Sequence, residues 1–417
     1  MSTAAHRPVD AVPPKHASAD PASPSHGPAS VPPGSASPEA VAMTGVVRAG
    51  PEHAETLAEF YRATWDASAT AAGVRAARRD AADRNTSEPG REPPTFLFLL
   101  GGRPVGHVTT LPLRLWTAEG TTRGYWMKGL MVAPEHRNGP VGFLLLREAV
   151  KDLGLSMAMV VAPEARRLFT AAGFADLGAL PDAVRILDPA RVLLRVDPSA
   201  LPDSLPGWMR RAAAAIQRSP AASALAGAAA SIGIGGWTAA RDSARLHRGW
   251  VLPRLDADEA TLLWQRARRR ISAAPSRDAG DLLARYDGRG EYRLIGVRER
   301  GGLAALGILR APRASADPRL NGIRMAALAD VVCPVDRPGL LLALLSTAET
   351  TARGLDADAL LFSASHRSTR AALRRRAYLP MGGGVHVMVR NPAGTPLPAA
   401  LADWWVTRGD GHADEAF

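Results

Sequence analysis

The run GYWMKGLMVAPEHRNGPVGFLLL, Gly124 to Leu146, decides how the rest of the chain is read. Its first half has strand character: Tyr125, Met127, Leu130, Met131 and Val132 are apolar or β-favouring, and the run stops at Pro134. A short loop with Arg137, Gly139 and Gly142 follows. Pro140 stands in the first turn of a helix, where its missing N–H costs nothing. Phe143, Leu144, Leu146 and Val150 give that helix its buried face. Strand, glycine loop and helix N-terminus together make an anion site. The loop N–H groups point outward, the helix dipole adds partial positive charge, and glycine lets a phosphate reach the backbone.

The chain has 417 residues, room for two or three domains with full cores. Its formal net charge of +11 rests on arginine, since lysine occurs only at Lys15, Lys128 and Lys151. That balance permits polyanionic partners: CoA, nucleotides, tRNA or a membrane surface. The single cysteine, Cys333, excludes an intrachain disulfide and gives no zinc cluster, so no metal site is expected and a reducing cytoplasm is the ordinary inference. The start, MSTAAHRPVDAVPPKH, lacks the apolar segment of a signal peptide. Residues 221–237 are mostly Ala, Gly and Ser, too weakly apolar for a spanning helix. A soluble, cytoplasmic protein without a transmembrane segment is expected.

Residues 1–43 are rich in Pro, Ala, Ser and His and carry almost no large apolar side chains, so a disordered tail is predicted. A strand at 45–49, a helix at 51–67 and strands at 95–100 and 105–116 lead into the quoted run. A strand at 156–162, a helix at 163–172 and a strand at 184–187 follow it.

The segment MVAPEHRNGPVGFLLLREA resembles the acyl-CoA-binding motif of the GCN5-related N-acetyltransferase (GNAT) superfamily. That motif reads hydrophobic-x-V-x-P, then R-x-x-G-x-G/A, then an apolar helix; Val132, Pro134, Arg137 and Gly142 fall on it. Pro140 replaces its first glycine, and Gly139 stands one residue early. The resemblance covers about residues 44–189 and includes the order of the elements. It implies an α/β (α+β) fold, a mixed central sheet flanked by helices, whose fourth and fifth strands splay to admit acyl-CoA. It also implies an acyl-CoA-dependent N-acyltransferase with acetyl-CoA as donor and an amine or sugar amine as small-molecule acceptor, with no DNA partner. Met131, Val132, Arg137, Asn138, Gly139, Val141 and Gly142 are then the CoA-binding residues.

A second block, residues 244–395, repeats the order of the first, residues 44–195. LADVVCPVDRPGLLLALLSTAE stands where GLMVAPEHRNGPVGFLLLREA stood, and ALRRRAYLP where LFTAAGFAD stood. Two GNAT-like domains in tandem are predicted, the second with a degenerate loop. Residues 196–243 read as a helical, low-complexity linker, including a basic amphipathic helix at 205–217. Residues 396–417 read as a C-terminal tail, though LADWWVTRGDGHADE is aromatic for one. It resembles the W-x-x-T-x-G-D ending of acetyltransferase-like proteins encoded in bacterial surface-polysaccharide loci, as do Trp264, Arg277-Asp278 and Arg285-Tyr286.

Acyl transfer to nitrogen needs a deprotonated amine, a polarised thioester carbonyl and a proton for the departing thiolate. In the family a fourth-strand glutamate often serves as base and a tyrosine before a Gly-Phe pair as acid. Here those positions fall at Lys128 or Gly129, and at Phe169. Two other catalytic candidates remain. His136 lies beside the loop, and imidazole is a side chain able to act as general acid or base. Asp330 lies on the second block's fourth strand, in AALADVVC, where burial would raise its pKa as a base requires; the alternative is pairing with an arginine. Cys333 reads as a small buried apolar residue and His366 as a cap or surface residue. Two further functional readings stand: a Fem-type transferase using aminoacyl-tRNA, which fits the basic charge, and a non-catalytic tandem scaffold binding CoA or a partner, which fits the missing glutamate and tyrosine.

Overall fold

A computed structural model describes residues 43–195, 197, 211, 214–241, 248–315, 320, 322–382 and 385–416. The tail expected at 1–43, apart from Met43, and most of the helix expected at 205–217 lie outside the described residues.

The first half runs β1 (Gly45–Arg48), α1 (Ala54–Thr64), α2 (Ala71–Asp83), β2 (Thr95–Leu100), β3 (Arg103–Thr117), β4 (Gly120–Val132), α3 (Val141–Asp152), β5 (Leu155–Ala158), α4 (Pro163–Ala171), β6 (Ala175–Ala179) and β7 (Asp182–Ile186). α5 (Pro189–Arg195) and α6 (Pro220–Arg241) follow. The second half runs β8 (Gly249–Leu252), α7 (Ala257–Ala267), β9 (Ala273–Pro275), α8 (Ala279–Tyr286), β10 (Tyr292–Glu299), β11 (Gly302–Ala314), β12 (Arg324–Val332), α9 (Pro338–Gly354), β13 (Ala359–Ser363), α10 (Thr369–Arg375), β14 (Leu379–Met381) and β15 (His386–Arg390). Periodicity explains the long elements. Phe96 to Leu99 of β2 are buried on both faces, hence the unbroken apolar run. α3 turns Leu145, Leu146, Ala149 and Val150 inward at helical spacing. Residues 221–237, read as part of a linker, lie within the single helix α6, as the alanine content favours.

The strands form two mixed sheets. The first has the order β1-β2-β3-β4-β5-β15-β6, with β9 also on β3; the second has the order β14-β7-β13-β12-β11-β10-β8. Each sheet therefore contains a strand from the other half. β15 lies between β5 and β6, antiparallel to both. β7, expected to complete the first sheet, lies between β13 and β14 instead. There Arg185 of β7 is 3.7 Å from Glu349 of α9, which also pairs with Arg376 at 2.7 Å.

The residues read as a C-terminal tail are core. Parallel pairing of β12 with β13 ends at Leu328–Phe362, and the two strands then diverge. Residues 404–409 occupy that fork. The Trp405 indole N–H donates to the Val331 carbonyl at 2.9 Å and the Gly409 amide to the Ala329 carbonyl at 2.7 Å. On the other arm, the Ser365 amide donates to the Val406 carbonyl at 2.9 Å, and Thr407 bridges to Ala364. Gly409 permits the close approach: a Cβ there would lie 2.1 Å from the Tyr286 hydroxyl. Side chains alternate as on a strand. Trp404 and Val406 pack with Leu113, Leu115, Trp126 and Met157 of the first sheet. Trp405 packs into the core of the second. Among the described residues, no helix is long and apolar enough to cross a membrane.

Because Trp405 is only 2 % exposed, Trp405→Ala should lower unfolding free energy by about 3–5 kcal/mol in urea titrations. A loss below about 1 kcal/mol would mean that the fork does not depend on its insert.

Candidate functional site

The first half has the same kind of fork. β4 pairs parallel with β5 from Gly124–Leu155 to Met127–Ala158. β4 then continues beside β3 to Val132, while the chain after β5 turns away through Val160, a β-branched residue at φ 56°. At the same level β4 is bulged. Its register with β3 shifts between His107 and Thr109, and Gly129 takes a left-handed φ of 63°. His107 holds the bulge from behind: Nδ1 is 3.2 Å from the Gly129 carbonyl and Nε2 3.0 Å from the Tyr61 hydroxyl. Burial pushes the His107 pKa down to about 4 and that of Tyr61 up to about 12. The ring is thus neutral at pH 7, with Nδ1–H donating to Gly129 and Nε2 accepting the Tyr61 proton. Sequence reading did not single out His107, because its partners are distant in the chain.

The loop after β4 brings the predicted CoA-binding residues together at the N-terminus of α3. Met131 and Val132 are half-buried, as is His136, whereas Arg137, Asn138 and Gly139 are exposed. Pro134–His136 form a short 3-10 turn, and Arg137 Nε folds back onto the Val132 carbonyl at 3.2 Å. The loop's own amides are partly spent inward: that of His136 donates to Ala133 at 2.9 Å and that of Gly139 to His136 at 3.1 Å. The outward donors belong instead to the first turn of α3, where no side chain caps the helix. Val141 and Gly142 are buried. A Cβ at Gly142 would sit 3.4 Å from both Leu168 and Val132. Gly142 therefore serves helix packing, and a bulky replacement there would disturb α4 before it met any ligand.

Behind the fork, a cleft of ≈ 240 Å³ runs between the two halves. Thr86, Arg114, Trp126 and Lys128 line one wall; Ser276, Asp281, Arg285 and Asp410 line the other. Lys128 is one of the two positions, with Gly129, where the family resemblance leads one to expect a glutamate. Asp281, which sequence reading passed over, is 8 % exposed. Its Oδ1 accepts from the Thr86 hydroxyl, and its Oδ2 lies 3.4 Å from Arg114 Nη1 without a hydrogen bond. Burial, then the nearby Asp278 charge, raise its pKa above the usual carboxylate value.

Asp330 is fully buried and receives five donors: Arg277 Nε at 2.7 Å, the Val331 amide at 2.8 Å, Arg285 Nη1 and Thr407 Oγ1 at 3.0 Å each, and the Tyr286 hydroxyl at 3.2 Å. The same arginines grip Asp410, at 2.6 and 2.9 Å. Burial alone would raise the Asp330 pKa, but the Arg277 and Arg285 charges outweigh it and the net direction is down. Of the two alternatives left open by the sequence, the structure adopts the arginine-paired one. The short motifs noted separately, Arg277-Asp278, Arg285-Tyr286 and the Thr407–Asp410 run, meet in this one network. Cys333 is buried, and burial pushes its thiol up to about 12, so it is inert. His366 is largely buried beside Trp405, its Nδ1 2.8 Å from the Ser368 hydroxyl.

No family model matches this chain, and no curated protein does. Solved structures match its fold. A probable N-acyltransferase from Enterococcus faecalis V583 aligns with TM-score 0.51 and 10 % identity over 84 % of this chain and 73 % of that one. A GCN5-related N-acetyltransferase from Anabaena variabilis ATCC 29413 aligns with TM-score 0.50 and 11 % identity over 84 % and 72 %. Saccharomyces cerevisiae N-myristoyltransferase with bound myristoyl-CoA aligns with TM-score 0.48 and 12 % identity over 74 % and 71 %. At these identities the likeness is one of fold: this is the GNAT type of mixed α/β architecture.

Unfolded His107 takes a proton near its ordinary 6.5, folded His107 only near 4, so stability is lost as pH falls through that window. The loss is on the order of 3 kcal/mol, and His107→Gln should remove that part of the slope. Urea unfolding from pH 7 to 4.5 measures it; identical slopes for both proteins would contradict a neutral buried imidazole.

Proposed function

We propose that this protein is an acyl-CoA-dependent N-acyltransferase in which the first half binds the donor and the second half walls the acceptor site. The carrying observation is the contrast between the forks: the second is filled by residues 404–409, while the first adjoins the cleft. In this reading the CoA pyrophosphate lies at the first turn of α3 with Arg137 beside it. The acyl group reaches through the β4–β5 fork, and the acceptor enters the cleft against Trp126. The donor is acetyl-CoA or another short acyl-CoA, and the acceptor is a small amine or sugar amine. The repeated element order supports an origin by duplication, with the second copy converted from donor site to support.

The chemistry is acyl transfer without a covalent enzyme intermediate. The bulge at Gly129, pinned by His107, fixes how β4 presents its backbone to the thioester. Phe169, buried against Phe174 at 5.0 Å between ring centroids, cannot donate a proton, so the thiolate is protonated from the amine or from water. Asp330, saturated with donors, acts as a structural group. His136 stands at the edge of the loop and is at most a group near the CoA phosphates. A second reading, donor binding without turnover, draws on Lys128 or Gly129, and Phe169, standing where a base and an acid are expected.

Acetyl-CoA titrated into the purified protein, followed by thiol release with primary amines, separates these readings. Arg137→Ala should weaken acetyl-CoA binding about tenfold at an unchanged melting temperature, because Arg137 is exposed and its loss costs little packing. No binding by the parent protein, or equal binding by the variant, would contradict the donor site. Binding with no thiol release for any amine would favour the second reading.

A further inference from the structure

Within the cleft, one carboxylate oxygen has no hydrogen bond to satisfy it: Asp281 Oδ2, on a side chain more than nine-tenths buried. Leaving a buried carboxylate oxygen without a donor is costly, and its position on the cleft wall gives an incoming ligand the chance to supply one. We propose that Asp281 is the acceptor-recognition group of this protein: it binds the ammonium of a cationic primary amine and takes its proton. This rests on the donor reading above and adds the class of acceptor.

The surrounding charges leave that role to Asp281. Around it stand Asp80 and Arg84, Arg114 of β3, Lys128 of β4, Asp278, Arg285 and Arg289 on and beside α8, and Asp410 with His412 near the C-terminal end. Arg84 is paired with Asp80 at 2.8 Å, Arg114 with Asp278 at 2.8 Å, and Arg285 with Asp330 and Asp410. Lys128, Arg289 and His412 each have a partner as well. Arg114 Nη1 comes within 3.4 Å of Asp281 Oδ2 without a hydrogen bond, its closer partner being Asp278, so that oxygen is left to accept a hydrogen bond from a positive donor. Thr86, from the first half, fixes the other oxygen of the carboxylate, so both halves build the site. Leu111, Leu113 and Trp126 offer an apolar wall for the body of the amine. The raised pKa of Asp281, set by burial and Asp278, suits proton uptake.

Asp281 takes one proton from R–NH3⁺, and the freed lone pair forms the C–N bond at the thioester carbonyl. The C–S bond breaks with its electron pair on the CoA sulfur, which takes the second amine proton. Asp281 then returns its proton to solvent.

The probe is n-butylamine, which stays protonated through the pH range used, followed by the shift of the Trp126 indole in NMR. The full chain should bind n-butylammonium at pH 8 and lose it as pH falls through the raised Asp281 pKa. Asp281→Asn should weaken binding at least tenfold, and Asp281→Glu should keep part of it. The wild-type pH titration stands even if the Asn variant folds poorly. Absence of binding, or binding unaffected by Asp281→Asn and by pH, would overturn the assignment. Acetyl-CoA affinity measured alongside keeps the two claims apart: a protein that binds acetyl-CoA yet fails this test loses the acceptor assignment alone.

Discussion

Two buried carboxylates, gripping the last stretch of the chain from strands of different origin, set the terms for everything else. Asp330 on β12 holds Thr407 directly and Asp410 through Arg277 and Arg285. Asp182, on the exchanged strand β7, holds Arg408 at 2.8 Å, and both touch Ser363 of β13. Such pairs cost desolvation and add little net stability over a well-packed apolar core. What they contribute is position. A segment slipped by one residue would carry Arg408 away from Asp182 and Asp410 away from Arg277 and Arg285, leaving buried charges without their partners at a cost of several kcal/mol. Residues 404–409 therefore have one register in the fork.

That register makes the two halves unlike despite their common order of elements. Trp405 and Gly409 spend hydrogen bonds on the arm of β12 that a thioester would otherwise approach, and Ser365 closes the other arm. In the first half the corresponding arm of β4 faces a cleft, whereas a strand bulge and an uncapped helix N-terminus are common to both halves. The exchange of β7 and β15 locks the halves to one another, so the cleft between them has fixed walls. A site divided between Thr86 on one side and Asp281 on the other requires that rigidity.

Much of the fold was legible in the sequence, because its long elements carry their own periodicity. The strand at 95–100 was read to the residue, and the β4–loop–α3 run was found from Pro134, Pro140 and its apolar helix face. The short strands β6, β8, β9 and β14 were missed; three to five residues hold too little pattern. Which sheet β7 joins could not be read at all, since a strand's own residues do not name its partner. The two tryptophans at 404 and 405 were the visible sign that the last residues are core. At the candidate site, Asp330 was located but its pKa direction was open, because Arg277 and Arg285 reach it from 53 and 45 residues away. His107 and Asp281 carried no local signal: the carbonyl of Gly129 and the hydroxyl of Thr86 become their neighbours only on folding.

The central claim is that one fork takes the donor and the other is occupied by the chain itself. Amide hydrogen exchange with and without acetyl-CoA tests it most directly. The account predicts new protection at residues 128–145, across the bulge, the loop and the first turn of α3, with exchange at 329–345 unchanged. Protection appearing at 329–345, around the N-terminus of α9, with none at 128–145, would contradict it.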